Sequence, residues 1–172
     1  MEKFFYPRSI VVIGVSVTRL NLGHIIVLNN RQKGYEGNIY GVGREEGNIA
    51  GAPVYDSVEK LPEVPDVAII ISPAHTVPAF MDDCGKKGIK RIVIESGGFS
   101  EYSNEQQSME KTLLDIAERY GIRFIGPNCI GTIKFDIKMM MPFGFFPATP
   151  FGVRVAMIVQ SGGVGSSYLG EF

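Results

Sequence analysis

Ser16, Thr18 and Arg19 lie between two glycines, Gly14 and Gly23, in the stretch GVSVTRLNLG. An apolar run breaks at the first glycine and a helix-like segment opens at the second. Hydroxyls and backbone N–H groups collected at a helix start can hold a phosphate. Three more glycine loops have the same character: ESGGF at 95–99, GPNCIG at 126–131 and QSGGVG at 160–165. They supply Ser96, Gly97 and Gly98, then Asn128 and Cys129, then Ser161, Gly162 and Gly163. The segment SPAHTVP adds Ser72, Pro73 and Ala74. Arg44, in YGVGREEG, stands where a cation can meet a ribose phosphate.

The usual phosphate motifs do not account for these residues. The first loop lacks the middle glycine of G-x-G-x-x-G and is too long for it, which opposes an NAD pyrophosphate site. The pattern G-x-x-x-x-G-K-[ST] is also absent. The two histidines, His24 and His75, read as a packing or capping residue and a loop residue, and neither is assigned a catalytic role.

The elements that position these loops are apolar runs at 10–15, 38–42, 67–72, 91–95, 123–125 and 153–159. They lack strict alternation, as strands covered on both faces do. Between them the spacing predicts helices. One runs from a capping box at Ser103 and Gln106, buries Met109, Leu113, Ile116, Ala117 and Tyr120 on one face, and stops at Gly121. Another starts near Pro78, buries Met81 and Cys84, and ends at Gly88. Strands alternating with helices predict an α/β, Rossmann-like, doubly wound, mostly parallel sheet with helices on both faces. Ligands of such sheets bind beyond the carboxyl ends of the strands, where the loops at 15–23, 43–46, 72–76, 96–100, 126–131 and 160–165 all fall. Residues 131–152, rich in methionine, phenylalanine and proline, read as an irregular or hairpin connection packed on the sheet.

With 172 residues, 45% of them hydrophobic, the chain can bury one sizeable core. A formal net charge of -1 gives no electrostatic footing for nucleic acid. Two cysteines without a CxxC pattern argue against a disulfide framework or a metal site and for a reducing, cytoplasmic setting. No apolar run approaches the roughly 18 residues that span a membrane.

Taken together, the loops ESGGF, GPNCIG, QSGGVG and SPAHTVP resemble the coenzyme-A-binding domain of nucleoside-diphosphate-forming acyl-CoA synthetases, the family of ADP-forming acetate–CoA ligase and the succinyl-CoA synthetase α subunit. The resemblance covers almost the whole chain. It implies that Gly14, Ser16, Thr18, Arg19 and Gly23 hold the CoA diphosphate. It further implies that Ser72, Pro73 and Ala74 line the nucleotide and pantetheine path, and that Ser96, Gly97 and Gly98 contact the pantetheine. Asn128 and Cys129 would lie near its reactive end. Ser161, Gly162 and Gly163 would start a helix facing the phosphoryl group in transfer. The chain departs from the family where Pro-Gly gives way to Arg19 and Leu20, and where Asn-Pro-Lys gives way to Gly43, Arg44 and Glu45. Arg44, with Arg19 second, is then the candidate for the CoA 3′-phosphate.

The family reaction joins a carboxylic acid to CoA as ATP becomes ADP and phosphate, through an acyl phosphate and a phosphohistidine on a later domain. The resemblance therefore implies a CoA-binding unit that binds without turnover. ATP and Mg would belong to the complete enzyme, and the partners would be a C-terminal domain, ATP-grasp-type domains or a subunit, and a small carboxylic acid. The expected division is 1–130 for the CoA-binding unit, 131–152 for the connection, and 153–172 for a last strand and helix leading into a second domain. A stand-alone CoA-binding or regulatory module, an NADP-binding oxidoreductase domain and a purely structural subunit remain as alternatives.

Overall fold

The computed structural model describes residues 1–99, 104–144 and 156–168. Its central sheet has seven strands: β1 (Ser9–Val15), β2 (Asn38–Gly43), β3 (Gly47–Ile49), β4 (Ala52–Tyr55), β5 (Val67–Ile70), β6 (Arg91–Ile94) and β7 (Arg123–Ile125). Their order across the sheet is β3-β4-β2-β1-β5-β6-β7. Every neighbouring pair is parallel except β3 with β4. The chain winds outward from β1 in both directions, so the fold is the Rossmann-like, doubly wound sheet expected from the sequence.

The two faces of β1 explain why the run is continuously apolar. Val11 and Ile13 pack on one side with Met81 and Cys84 of α2 (Val77–Lys87) and Leu113 and Ile116 of α3 (Asn104–Tyr120). Ile10 and Val12 pack on the other with Ile26 and Val27 of α1 (Leu22–Lys33). Burying each such side chain contributes about 1.5–3 kcal/mol. Left-handed glycines end the helices: Gly34 after α1 (φ 83°), Gly88 after α2 (φ 96°) and Gly121 after α3 (φ 63°). The α2 helix starts one residue before Pro78, which therefore occupies the first turn, where its missing N–H costs nothing. The capping serine expected for α3, Ser103, lies outside the described residues.

Residues 133–140 form a hairpin, β8 (Ile133–Lys134) with β9 (Met139–Met140), on the α1 side of the sheet. Met139, Met140 and Met141 are buried there. The strand expected at 153–159 is not present in its described part, 156–159. Met157, Ile158 and Val159 are exposed, with no neighbouring strand among the described residues to complete a ladder, and an apolar run without that partner stays irregular. Residues 153–155 lie outside the described residues. A short α4 (Gly162–Tyr168) follows. The β3–β4 hairpin was not anticipated, being two very short strands joined through Ala50 (φ 49°) and Gly51 (φ 87°).

Candidate functional site at the carboxyl edge of the sheet

Because the main strands are parallel, their carboxyl ends share one edge. β1 lies between β2 and β5, which makes the gap between β1 and β5 the topological switch point. Gly14 occupies that gap. A Cβ built on it would lie 2.1 Å from the Ile71 carbonyl oxygen, and its φ of 102° is left-handed. Only glycine fits. Gly23 does a different job, since its Cβ would lie 3.0 Å from the Gly14 carbonyl, so its absence lets the first turn of α1 press on β1.

Asn21 builds the loop between them. Its Oδ1 accepts from the His24 amide (2.9 Å) and the Ser16 amide (3.3 Å), and its Nδ2 donates to the Gly14 carbonyl (2.8 Å). It is the N-cap of α1, a residue type suited to that place, and the position alone could have revealed it. Ser16 Oγ accepts from the Arg19 amide (3.1 Å) and lies 3.4 Å from Thr18 Oγ1. His24 Nδ1 donates to the Ser16 carbonyl (2.7 Å), so this histidine braces the loop. Thr18 and Arg19 are exposed.

Arg44 leaves β2 at the same level. Gly43 pairs with Val15, so Arg44 and Ser16 emerge side by side from adjacent strands. Arg44 is exposed and bridges to no carboxylate among the described residues, whereas Glu46 is held by Lys60 (2.8 Å).

The second half of the edge is tied together by hydrogen bonds. The Ser72 amide donates to Ser96 Oγ (3.0 Å), Thr76 Oγ1 donates to Ser72 Oγ (2.9 Å), and the Asn128 amide donates to the Ser96 carbonyl (3.0 Å). Ser96 is buried and its hydroxyl serves the fold, leaving the exposed backbone of Gly97 as the surface it presents. A Cβ on Gly97 would meet Asn128 Oδ1 at 3.3 Å, and one on Gly98 (φ 91°) would meet the Ala74 Cβ at 3.7 Å. Gly126 (φ 104°) turns the chain against the Ile94 carbonyl, 2.3 Å from where a Cβ would stand. Asn128 has φ 55° and is exposed; Cys129 is half-buried. Pro73 and His75 are exposed, Ala74 half-buried.

Ser161 caps α4, accepting from the Val164 amide (3.4 Å), and Gly162 approaches Ile130, whose Cδ1 would lie 3.0 Å from an added Cβ. The structure thus brings the third glycine loop beside the Asn128–Cys129 turn. Glu95 was missed by the sequence reading. It is 5% exposed, and among the described residues neither carboxyl oxygen has a hydrogen-bond partner. A charged residue closing a run covered on both faces was the available signal.

The opposite edge carries an ion pair and hydrogen bonds of its own: Lys3 with Asp66, the Arg8 amide to Asp66 (2.9 Å), and Asn38 and Tyr40 to Glu63 (2.8 Å each). Among the described residues no His, Cys, Asp and Glu group could hold a metal ion, and no helix is long and apolar enough to cross a membrane.

This edge offers exposed backbone, hydroxyls and exposed arginines, suited to an elongated phosphorylated ligand. The sequence model of the CoA binding domain matches residues 8–134, the span that contains β1 to β8. The chain belongs to the CoA-binding-domain family. This CoA-binding domain is 40% identical over 162 residues to acetate–CoA ligase (ADP-forming) I of Archaeoglobus fulgidus, covering 94% of this chain and 23% of that protein. It is 37% identical over 174 residues to the α subunit of acetate–CoA ligase (ADP-forming) I of Pyrococcus furiosus, covering 99% and 37%. It superposes on the dinucleotide-forming acetyl-coenzyme A synthetase 1 of Ca. Korarchaeum cryptofilum, solved with phosphate and ADP, with a TM-score of 0.85 at 32% identity over 99% of this chain and 36% of that one. The domain therefore spans between about a quarter and just over a third of the length of these relatives.

Proposed function

We propose that the chain binds coenzyme A along the carboxyl edge of its sheet and serves as the CoA-binding domain of an ADP-forming acid–CoA ligase. The observation that carries this reading is the convergence of the loops at Ser16, Ser72, Ser96 and Asn128 on one edge, within a chain whose family is that of CoA-binding domains. The Ser16–Gly23 loop, with Thr18 and Arg19, would take the diphosphate. Its backbone is pre-set by Asn21 and needs little reordering on binding. Arg44 would take the 3′-phosphate by charge-assisted hydrogen bonds. The exposed backbone at Gly97, with Gly98 beside it, would pair with the amides of the pantetheine arm, whose end would reach Asn128 and Cys129.

In the complete enzyme, ATP and Mg2+ would act on further domains or a partner subunit, together with a small carboxylic acid. Residues 1–130 would then be the CoA-binding unit, 131–152 its connection, and 153–172 the passage to the next domain, with Ser161 to Gly163 turned towards that side. The chain by itself would bind CoA without turnover, in a cytoplasmic setting. A thermal-shift titration tests the reading: CoA should raise the melting temperature by mass action, 3′-dephospho-CoA less, and NADPH not at all. Stabilisation by NADPH alone would replace this reading with the oxidoreductase one.

A further inference from the structure

Glu95 closes the β6 run at the floor of the site. Its amide donates to the Ile70 carbonyl (2.9 Å), so the backbone is still paired there. Strand alternation turns its side chain to the Val93 side of the sheet, the side of Met139, Met141 and the half-buried Cys129. The carboxyl is shielded from solvent, yet among the described residues neither oxygen accepts or donates a hydrogen bond, not even with Cys129. Burial pushes its pKa well above the ordinary carboxylate range. The Cys129 thiol is pushed up too, by its own burial and also by the Glu95 charge, so the two groups lie within electrostatic reach. Native folds leave few buried polar groups unpartnered, and such groups gather at sites of function.

The surroundings indicate what such a group would meet. Asn128 and Cys129 form one wall, fastened to Ser96. Gly97 and Gly98 form another, with exposed backbone at Gly97. Resting on the reading that CoA lies along this edge, we propose that Glu95 is the hydrogen-bond acceptor for the CoA thiol and makes the inner end of the site selective for the free –SH. A carboxyl keeps an acceptor oxygen whether ionised or neutral. A weak S–H donor gains most from an acceptor that neither water nor the protein has already claimed. An apolar side chain of the same length would pack in this place without leaving a polar group unpaired, whereas the carboxyl offers a ligand an unclaimed acceptor.

Calorimetric titration of the reduced chain with CoA and with desulfo-CoA tests this, using the wild type, Glu95→Gln and Glu95→Met. The wild type is expected to bind CoA about five- to tenfold more tightly than desulfo-CoA, the worth of one buried hydrogen bond. Glu95→Gln keeps a carbonyl acceptor and should retain most of that preference. Glu95→Met should abolish it, leaving desulfo-CoA affinity unchanged, and should raise the melting temperature of the ligand-free chain. Equal wild-type affinities for the two ligands would overturn the inference and leave the CoA reading intact. Failure of the wild type to bind either would overturn both. A Glu95→Met chain that melts lower than wild type, or does not fold, would make the carboxyl an internal structural group and likewise overturn the inference.

Discussion

Asn30 and Met140 exchange two hydrogen bonds across 110 residues of sequence: Asn30 Nδ2 donates to the Met140 carbonyl (2.6 Å), and the Met140 amide donates to Asn30 Oδ1 (2.9 Å). The asparagine is buried in α1 and acts on β9 as a neighbouring strand would. Asn29 adds bonds to the carbonyls of Pro142 (3.3 Å) and Gly144 (2.7 Å). These bonds hold the hairpin on the α1 face. Asn30→Leu keeps the branching and heavy-atom count but strands two buried backbone groups, at about 1–3 kcal/mol each. The expected loss, read by urea unfolding, is about 2–4 kcal/mol; an unchanged midpoint would show the anchor to be dispensable.

Two glycines separate backbone strain from collision. Gly51 has φ 87° with nothing within 4 Å of an added Cβ, so Gly51→Ala should cost only the left-handed penalty of about 1–2 kcal/mol. Gly14 has φ 102° and a carbonyl 2.1 Å away. Gly14→Ala must part β1 from β5 and should cost at least twice as much, with CoA stabilisation lost. Paired thermal melts with and without CoA measure both effects.

The buried Glu95 fixes the sign of one pH dependence. Its folded pKa is raised by desolvation, so the folded state holds the proton more tightly than the unfolded chain. Its contribution is fully present below the unfolded value, near 4.3, and is lost as pH rises through the folded value. Glu95→Gln removes this loss. The stability gap between variant and wild type should therefore widen in favour of the variant as pH rises from 4 towards neutrality. A gap that narrows over that range would be inconsistent with the burial.

Asp66 should behave in the opposite sense. Burial alone would raise its pKa, but the Lys3 side chain and the Arg8 amide more than reverse this and hold it below the usual carboxylate range. That contribution is present above the unfolded value, near 3.9, and falls away in acid. Asp66→Asn should lower stability at pH 7 and flatten the acid limb of the unfolding curve, which a pH series of denaturant midpoints resolves.

Arg44→Ala should weaken CoA about tenfold or more, the scale of a charge-assisted phosphate contact, and leave 3′-dephospho-CoA unchanged. If both ligands weaken equally, Arg44 does not read the 3′-phosphate. If neither changes, Arg19→Ala is the next variant to titrate.

The sequence by itself determined the parallel sheet, because runs such as IVVIGV and VAII need apolar cover on both faces and can find it only between helix layers. It also determined which loops share an edge, since parallel strands bring all their carboxyl ends together, and where helices stop, since Gly88 and Gly121 are local left-handed signals. Tertiary structure alone decided the rest. Whether 156–159 became a strand depended on a neighbouring ladder, which local propensity cannot supply. The β3–β4 hairpin is too short to leave a periodic signature and is held by pairing with β2. Asn30 and Glu95 are both polar residues in apolar surroundings, and nothing adjacent to them in the chain separates their fates. Asn30 found a partner 110 residues away and became an anchor, while Glu95 found none among the described residues and remained an unpaired acid under the candidate site. Hydrogen-bond satisfaction is settled by which distant backbone groups the fold brings within 3 Å, and that distance is written only in three dimensions.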